Sequence, residues 1–411
     1  MASAAKIDRR TMLQLSAAGL LASCGAGESA NGPLKVVVVG AGIVGASIAY
    51  FLAKNGAKVT IIDKEGPASH ASKGTFAWIN ASWAKQPRDY HSLNQLGVSG
   101  WHYLEQDLAI PMRWSGAFEW FDSQARMATL ERQIAQQQEW GEPAQMLSAA
   151  NMAAREPALA AAFPAAFSPR DGAVDPVAAT RMLVEGAQKF GAKLMVPAAL
   201  ADVEMEGETL RAAQLASGES IPADKLVLAT GAAPNMAKTF AKSHVPQRST
   251  AGIIAITYPM APVIRHILAA PGIHLHQRID GRVVLGEEAG PPQTQAHMQR
   301  LVGRPRRFLS ADIEKEHAAR LSAMASAVVP ALGQAKIEQT IIGWRPLPLD
   351  GHPVIGISPQ RPDVYLAITH SGVTLAPAIG QLAAYELLEA RAISRLEPYR
   401  PGRTFAEVFR Y

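Results

Sequence analysis

The sequence predicts an α/β protein in which a parallel, doubly wound domain is interleaved along the chain with a second α+β domain built on a mixed antiparallel sheet. Three observations predict it. Lys35 to Asp63 reads as strand, glycine-rich turn, helix and second strand. Ala223 to Gly231 is another apolar strand running into a tight Thr-Gly corner, and Val364 to Leu388 is a third strand followed by a helix. Between these last two lie Gly252 to Tyr258 and the hairpin Ile273 to Gly286, turning at Asp280-Gly281, which read as antiparallel strands.

The first unit carries the strongest signal. Lys35 to Val39 is a β-branched run of the kind buried on both faces of a parallel sheet. Gly40, Gly42 and Gly45 follow in the spacing G-x-G-x-x-G, and Ile43 to Lys54 then holds apolar residues at helical spacing, closed by Asn55-Gly56. Gly40 permits the tight turn, Gly42 lets the backbone approach a pyrophosphate, and Gly45 lets helix and strand pack closely. A pyrophosphate can then rest on free N–H groups at the positive helix end. Asp63, at the tip of the second strand, can accept hydrogen bonds from a ribose diol. All parts occur in order, so the unit reads as a Rossmann-like dinucleotide site.

In chain order, a turn-rich stretch from Gly66 to Trp83 comes next and contains A-S-K-G-T-F-A-W. His91 to Gln106 and Met127 to Trp140 have helical spacing, with strand-compatible Met112 to Phe121 between them. A turn at Asp171 to Pro176 precedes a helix, Val177 to Phe190. Ala199 to Ile221 reads as a meander, and the strand of Ala223 to Gly231 follows. A nicotinamide enzyme has no need of this second βα turn, whereas a flavin dinucleotide lies across two parallel-strand termini. Ala311 to Val329 is a helix. The expected division is an export signal and tether in 1–33, a nucleotide domain in 34–85, 151–240 and 341–411, and a substrate domain in 86–150 and 241–340.

Composition narrows the class. The 411 residues are 48% hydrophobic and 18% charged, enough for a large core and two domains. A net charge of +5 without basic blocks gives no reason to expect nucleic acid as a partner, and no metal-ligand cluster stands out. At the N-terminus, Asp8-Arg9-Arg10-Thr11-Met12-Leu13-Gln14 resembles a twin-arginine export signal, although Asp8, Met12 and Gln14 depart from its commonest residues. Leu21-Ala22-Ser23-Cys24 resembles the lipobox before a lipidated cysteine. Cys24 is the only cysteine, as suits a cargo that folds around its cofactor before export to the periplasm or to a membrane anchor. The alternative is an ordinary N-terminal helix on a cytoplasmic protein.

Four blocks carry a resemblance that covers about Lys35 to Leu388: V-V-G-A-G-I-V-G, A-S-K-G-T, A-D-K-L-V-L-A-T-G, and G-W-R-P-L-P-L-D-G-H-P-V-I-G with T-H-S-G-V-T-L-A-P. The chain resembles the FAD-dependent amine and amino-acid oxidoreductases of the D-amino-acid oxidase type, among them glycine oxidase and sarcosine oxidase. The resemblance implies that Gly40, Gly42, Ile43, Val44 and Gly45 hold the FAD pyrophosphate, while Asp63 and Lys64 meet the adenosine ribose. Ser72, Lys73, Gly74 and Thr75 would contact the pyrophosphate and flavin side. The backbone of Leu200 would hold adenine, and Ala229, Thr230 and Gly231 would line the ribityl region. Ser371, Gly372, Val373, Thr374 and Leu375 open the last helix, whose N–H groups would stabilise negative charge on reduced flavin. Two departures matter. The chain has no well-placed residue for covalent attachment (the offset of His70 fits poorly), so FAD is expected to be non-covalent. Ala233-Pro234 replaces the family's aromatic after A-T-G.

The chemistry that the resemblance implies is oxidation of a C–N bond in an amine or amino acid, with hydride leaving for flavin N5 and the imine hydrolysing. Arg345 matches the carboxylate-binding arginine, its planar fork suited to two parallel hydrogen bonds; otherwise it is a structural salt-bridge arginine. His370 precedes the final helix, either beside the flavin or as a capping residue. His274, His276 and Arg278 alternate onto one strand face, lining a pocket or facing solvent. Phe76, Trp78 and Trp83 wall that pocket or belong to the core. The electron acceptor is oxygen or, for an exported dehydrogenase, a quinone or cytochrome. A non-catalytic FAD lipoprotein is the remaining alternative.

Overall fold

The computed structural model describes residues 32–288 and 303–408. Arg9-Arg10, Cys24 and the lipobox-like stretch lie outside the described residues. A six-stranded sheet runs in the order Val354–Ser358, Arg361–Ile368, Lys225–Leu228, Lys35–Val39, Lys58–Ile62, Lys193–Met195. It is parallel except for its edge strand Val354–Ser358. The valine run at its centre is buried because both faces are covered. Val36 and Val38 enter a core shared with helices Ile43–Lys54, Arg88–Leu108, Pro176–Lys189 and Gly372–Glu389. Val37 and Val39 enter the core beneath helix Pro234–Ala241 and the meander Leu200–Glu206, Thr209–Leu215, Ser220–Pro222.

The second large sheet has eight strands in the order Ile337–Pro348, Gln247–Thr257, Val283–Glu287, Ile273–Gln277, Ile267–Ala270, Ala117–Glu119, Ala165–Ser168, Gln145–Leu147. Only Ile267–Ala270 and Ala117–Glu119 pair in parallel, so the sheet is mixed and largely antiparallel, as expected. One face packs Leu268, Leu275 and Leu285 with Leu321 and Ala325 of helix Ala311–Val328. The other face meets the segment that carries Phe76, Trp78 and Trp83.

Strand pairing and helix packing both cross the expected boundaries, and Met112–Arg113 already pairs with Gly172–Val174. Ala165–Ser168 falls in the 151–240 stretch expected for the nucleotide domain, yet pairs within the eight-stranded sheet. Residues 341–348 do the same, because Ile337–Pro348 stays paired with Gln247–Thr257 along its length. Conversely, helix Arg88–Leu108, expected with the substrate domain, rides on helix Gly372–Glu389. A Cβ on Gly97 would strike the Thr374 carbonyl, and one on Gly100 would lie 2.6 Å from Pro377 Cβ. Trp101 Nε1 donates to the Val373 carbonyl across the same contact at 2.8 Å.

Candidate active site

The glycine loop leaves the strand at Val39. Gly40 has φ +106°, and a Cβ there would lie 2.5 Å from the Ala229 carbonyl oxygen. A Cβ on Gly45 would collide with the Gly40 carbonyl. Both glycines are therefore demanded by the chain itself. Gly42 differs, since a Cβ there would meet only Ser72 Oγ, at 3.3 Å. Ser72 Oγ accepts the Ile43 N–H at 3.0 Å and so lies at the start of the helix.

Asp63 ties this loop to the next turn. Its Oδ2 accepts the Ala41 N–H, and its Oδ1 accepts the Glu65 and Gly66 N–H groups, all at 2.8 Å. A carboxylate has about four acceptor positions, so one remains for a ribose hydroxyl. Lys64 is exposed beside it, and Leu200 opens the meander, reached through Ala198, whose N–H donates to the Asp63 carbonyl at 2.8 Å. Lys73 is exposed in the turn that follows His70. Gly74 answers to a contact that the sequence does not reveal: a Cβ there would lie 2.6 Å from Gly343 Cα, in the strand of the G-W-R-P block. Thr75 Oγ1 accepts the Ala77 N–H at 3.2 Å.

Two helix starts converge. Gly372 abuts Val44, where a Cβ would sit 3.3 Å from Cγ2, so the N-termini of Ile43–Lys54 and Gly372–Glu389 lie side by side. Ser371 caps the second without a side-chain hydrogen bond to it; its Oγ lies 3.1 Å from Tyr90 Oη instead. Thr374 Oγ1 donates to the Trp78 carbonyl and accepts the Asn80 N–H, both at 3.2 Å, and Leu375 closes the first turn on Ser371. Between the two starts, Ala229, Thr230 and Gly231 end the strand Lys225–Leu228. Gly231 has φ +56° with open space around its Cα, and the buried Thr230 Oγ1 and Thr369 Oγ1 have no partner among the described residues. Open space at Gly231, a Gly42 approached only by the Ser72 hydroxyl, two helix N-termini and two unsatisfied hydroxyls suit a dinucleotide with a diphosphate and a polyol chain.

Opposite lies a polar row on the eight-stranded sheet. Glu119 is registered with Ala269, Ala269 with His274, and His274 with Gly286. Arg345 stands opposite Thr250, and its guanidinium lies across Gly252, whose Cβ would be 3.2 Å from Nε. His274, His276 and Arg278 are covered rather than solvated. Phe76 packs on both imidazoles at ring separations of 5.6 and 4.7 Å, Trp78 packs on His274 at 5.7 Å, and Arg278 pairs with Asp175 at 3.2 Å. His276 Nε2 lies 2.8 Å from the Phe76 carbonyl, so that nitrogen carries the proton, and the imidazole is fixed behind the aromatic wall. Burial pushes its pKa to about 3. Burial, then the charges of Arg345 and Lys85, push His370 to about 3 as well, and burial brings His274 to about 4. All three imidazoles are neutral at pH 7.

Three contributors escape sequence reasoning. Fully buried Asp171 accepts from Trp78 Nε1 at 2.8 Å, from the Ala81 N–H at 2.9 Å and from Ser82 Oγ, fixing the aromatic segment. Lys85 is buried with its ammonium 4.0 Å from the Trp83 ring centroid. Burial pushes Glu119 to about 8.

The tips of three neighbouring parallel strands, faced by the second sheet, make a site of the dinucleotide-binding class. The profile of the family described as FAD dependent oxidoreductase matches residues 35–386, and this chain belongs to that family. It is 26% identical over 396 residues to the uncharacterized oxidoreductase YurR of Bacillus subtilis, covering 90% of this chain and 99% of that protein. Glycine oxidase from Geobacillus kaustophilus shares the fold at a TM-score of 0.80 and 23% identity, over 91% of this chain and 100% of that one. L-proline dehydrogenase from P. horikoshii does so at 0.78 and 23%, over 90% and 97%. The cofactor is FAD, and the protein is an FAD-dependent oxidoreductase.

Proposed function

We propose that the chain oxidises the C–N bond of an amino acid or secondary amine to an imine, which water hydrolyses to a carbonyl compound and the freed amine. FAD, when bound without a covalent link, supplies the hydride acceptor. The observation that carries this reading is Arg345. Its guanidinium lies across Gly252 on the sheet face opposite the helix starts, and its charge acts on both His274 and His370. A fork in that position suits a substrate carboxylate. Neutral His370 orients the substrate amine without adding a competing positive charge. His276 acts through the Phe76 carbonyl as a positioning residue, and Phe76, Trp78 and Trp83 exclude water. The neighbours above are named for oxidation of glycine and of L-proline, which supports the substrate class. Electrons pass on to oxygen or to a quinone.

Arg345→Ala tests the reading. Loss of a charge-assisted pair in a partly desolvated site costs about 2–5 kcal/mol, so kcat/KM for an amino acid should fall roughly 30- to 4000-fold. Arg345→Lys should recover part of it, and FAD content should stay normal in both. Unchanged amino-acid turnover in Arg345→Ala would make this arginine structural.

A further inference from the structure

The connection that leads into helix Ala311–Val328 includes Gly303-Arg304-Pro305-Arg306-Arg307. It reaches away from the eight-stranded sheet to touch both sides of the dinucleotide crevice. Arg304 Nη1 donates to the Ala232 carbonyl at 2.5 Å, and Arg306 pairs with Glu65. Between them, the Pro305 carbonyl accepts Trp344 Nε1–H at 3.0 Å, and the Trp344 ring lies 5.9 Å from the Arg304 guanidinium. Ala232 follows Gly231 at the tip of strand Lys225–Leu228, and Glu65 lies two residues after Asp63 at the tip of Lys58–Ile62. Those strands flank Lys35–Val39, whose tip carries the glycine loop. Residues 304–306 thus run from one bank of the crevice to the other past that loop, and Trp344, next to Arg345, fixes their middle.

We propose that residues 304–306 form a clasp over the diphosphate half of the FAD site, one that contributes two guanidiniums to it and must open before FAD can leave. A guanidinium carries five N–H donors, so each arginine can keep its protein acceptor and also hold a phosphate oxygen. Glu65 is the clasp's anchor on the adenosine side, and His70 Nε2 stands 3.3 Å from the same carboxylate. The Arg306–Glu65 pair is partly solvated, at 49% and 34% side-chain exposure, so it serves as a latch that opens. The Arg304 contact with Ala232 is more enclosed and is the hinge end.

The test measures FAD release from the loaded protein, which needs no substrate and no turnover. The rise of free-FAD fluorescence after dilution gives the rate. Arg306→Ala should release FAD about 3- to 5-fold faster, the scale of a partly exposed ion pair. Arg304→Ala should do so about 10-fold faster or more, as a charged hydrogen bond is lost. Glu65→Ala should also speed release, and the Glu65→Ala/Arg306→Ala double variant should release no faster than Arg306→Ala alone. Salt should accelerate release from the wild type more than from Arg306→Ala. Unchanged release rates in Arg306→Ala and Glu65→Ala, or effects of the two that simply multiply, would overturn the proposal. If Arg304→Ala fails to fold, the Glu65–Arg306 pair decides alone.

Discussion

Asp171 gathers three hydrogen bonds from partners 93, 90 and 89 residues away in sequence, which is why its role is invisible in the chain, where it reads as the first residue of an Asp-Gly turn. Arg345 is legible because the G-W-R-P block travels with it, whereas Lys85 and Glu119 carry no local signature. Burial raises Asp171 from its ordinary 3.8 to about 6 and Glu119 from 4.5 to about 8. Both groups hold their protons more tightly folded than unfolded. Their contribution to stability is complete below the ordinary values and is lost as pH rises through the folded ones. Below pH 6.5 the depressed pKa values of His274, His276 and His370 act in the opposite direction, because the unfolded imidazoles take up protons that the folded ones refuse. The melting temperature should therefore decline from pH 7 to pH 9, where Glu119 is the acid still titrating, and Glu119→Gln should flatten that decline. A Glu119→Gln profile that superposes on wild type would show that Glu119 ionises normally.

The strand–glycine–helix unit is the most legible element because each of its parts is local. The three glycines nevertheless differ in what they serve. Gly45→Ala would force a methyl group into the Gly40 carbonyl and should cost more than about 4 kcal/mol, seen as loss of soluble protein. Gly42→Ala meets only a hydroxyl, so the apoprotein's melting temperature should barely move, while FAD affinity falls about tenfold or more, at 1.4 kcal/mol per factor of ten. Equal losses of apoprotein stability in the two variants would contradict the distinction. Helix Arg88–Leu108 was legible as a helix but not in its placement. Its contact with Gly372–Glu389 depends on Gly97 and Gly100, and the absence of side chains leaves no hydrophobic pattern to read. The covered histidine face of Ile273–Gln277 was equally ambiguous, since alternation marks two faces without telling which one meets protein.

Across the whole molecule, the interleaving of two sheets was legible from the order of units, but the crossing points were not. Ala165–Ser168 joins the eight-stranded sheet through Gln145–Leu147, about 20 residues earlier, and Ala117–Glu119, about 50 residues earlier, separations that local pattern cannot see. The N-terminal motifs belong to this scale too. Replacing Arg9-Arg10 with Lys-Lys should strand the protein in the cytoplasm, and Cys24→Ser should remove membrane anchoring. Cell fractionation with an unlipidated, cytosolic wild type would reject export and leave the enzyme reading standing. That reading makes the second sheet a surface that presents a carboxylate-bearing amine to FAD. The most direct measurement is anaerobic mixing of the FAD-loaded protein with a panel of amino acids, N-methyl glycines and the corresponding amines without a carboxylate, followed by absorbance in the flavin's visible band. The account predicts bleaching by at least one carboxylate-bearing substrate and far slower bleaching by its decarboxylated counterpart. Equal rates for the two, or no bleaching by any of the amines and amino acids, would contradict it.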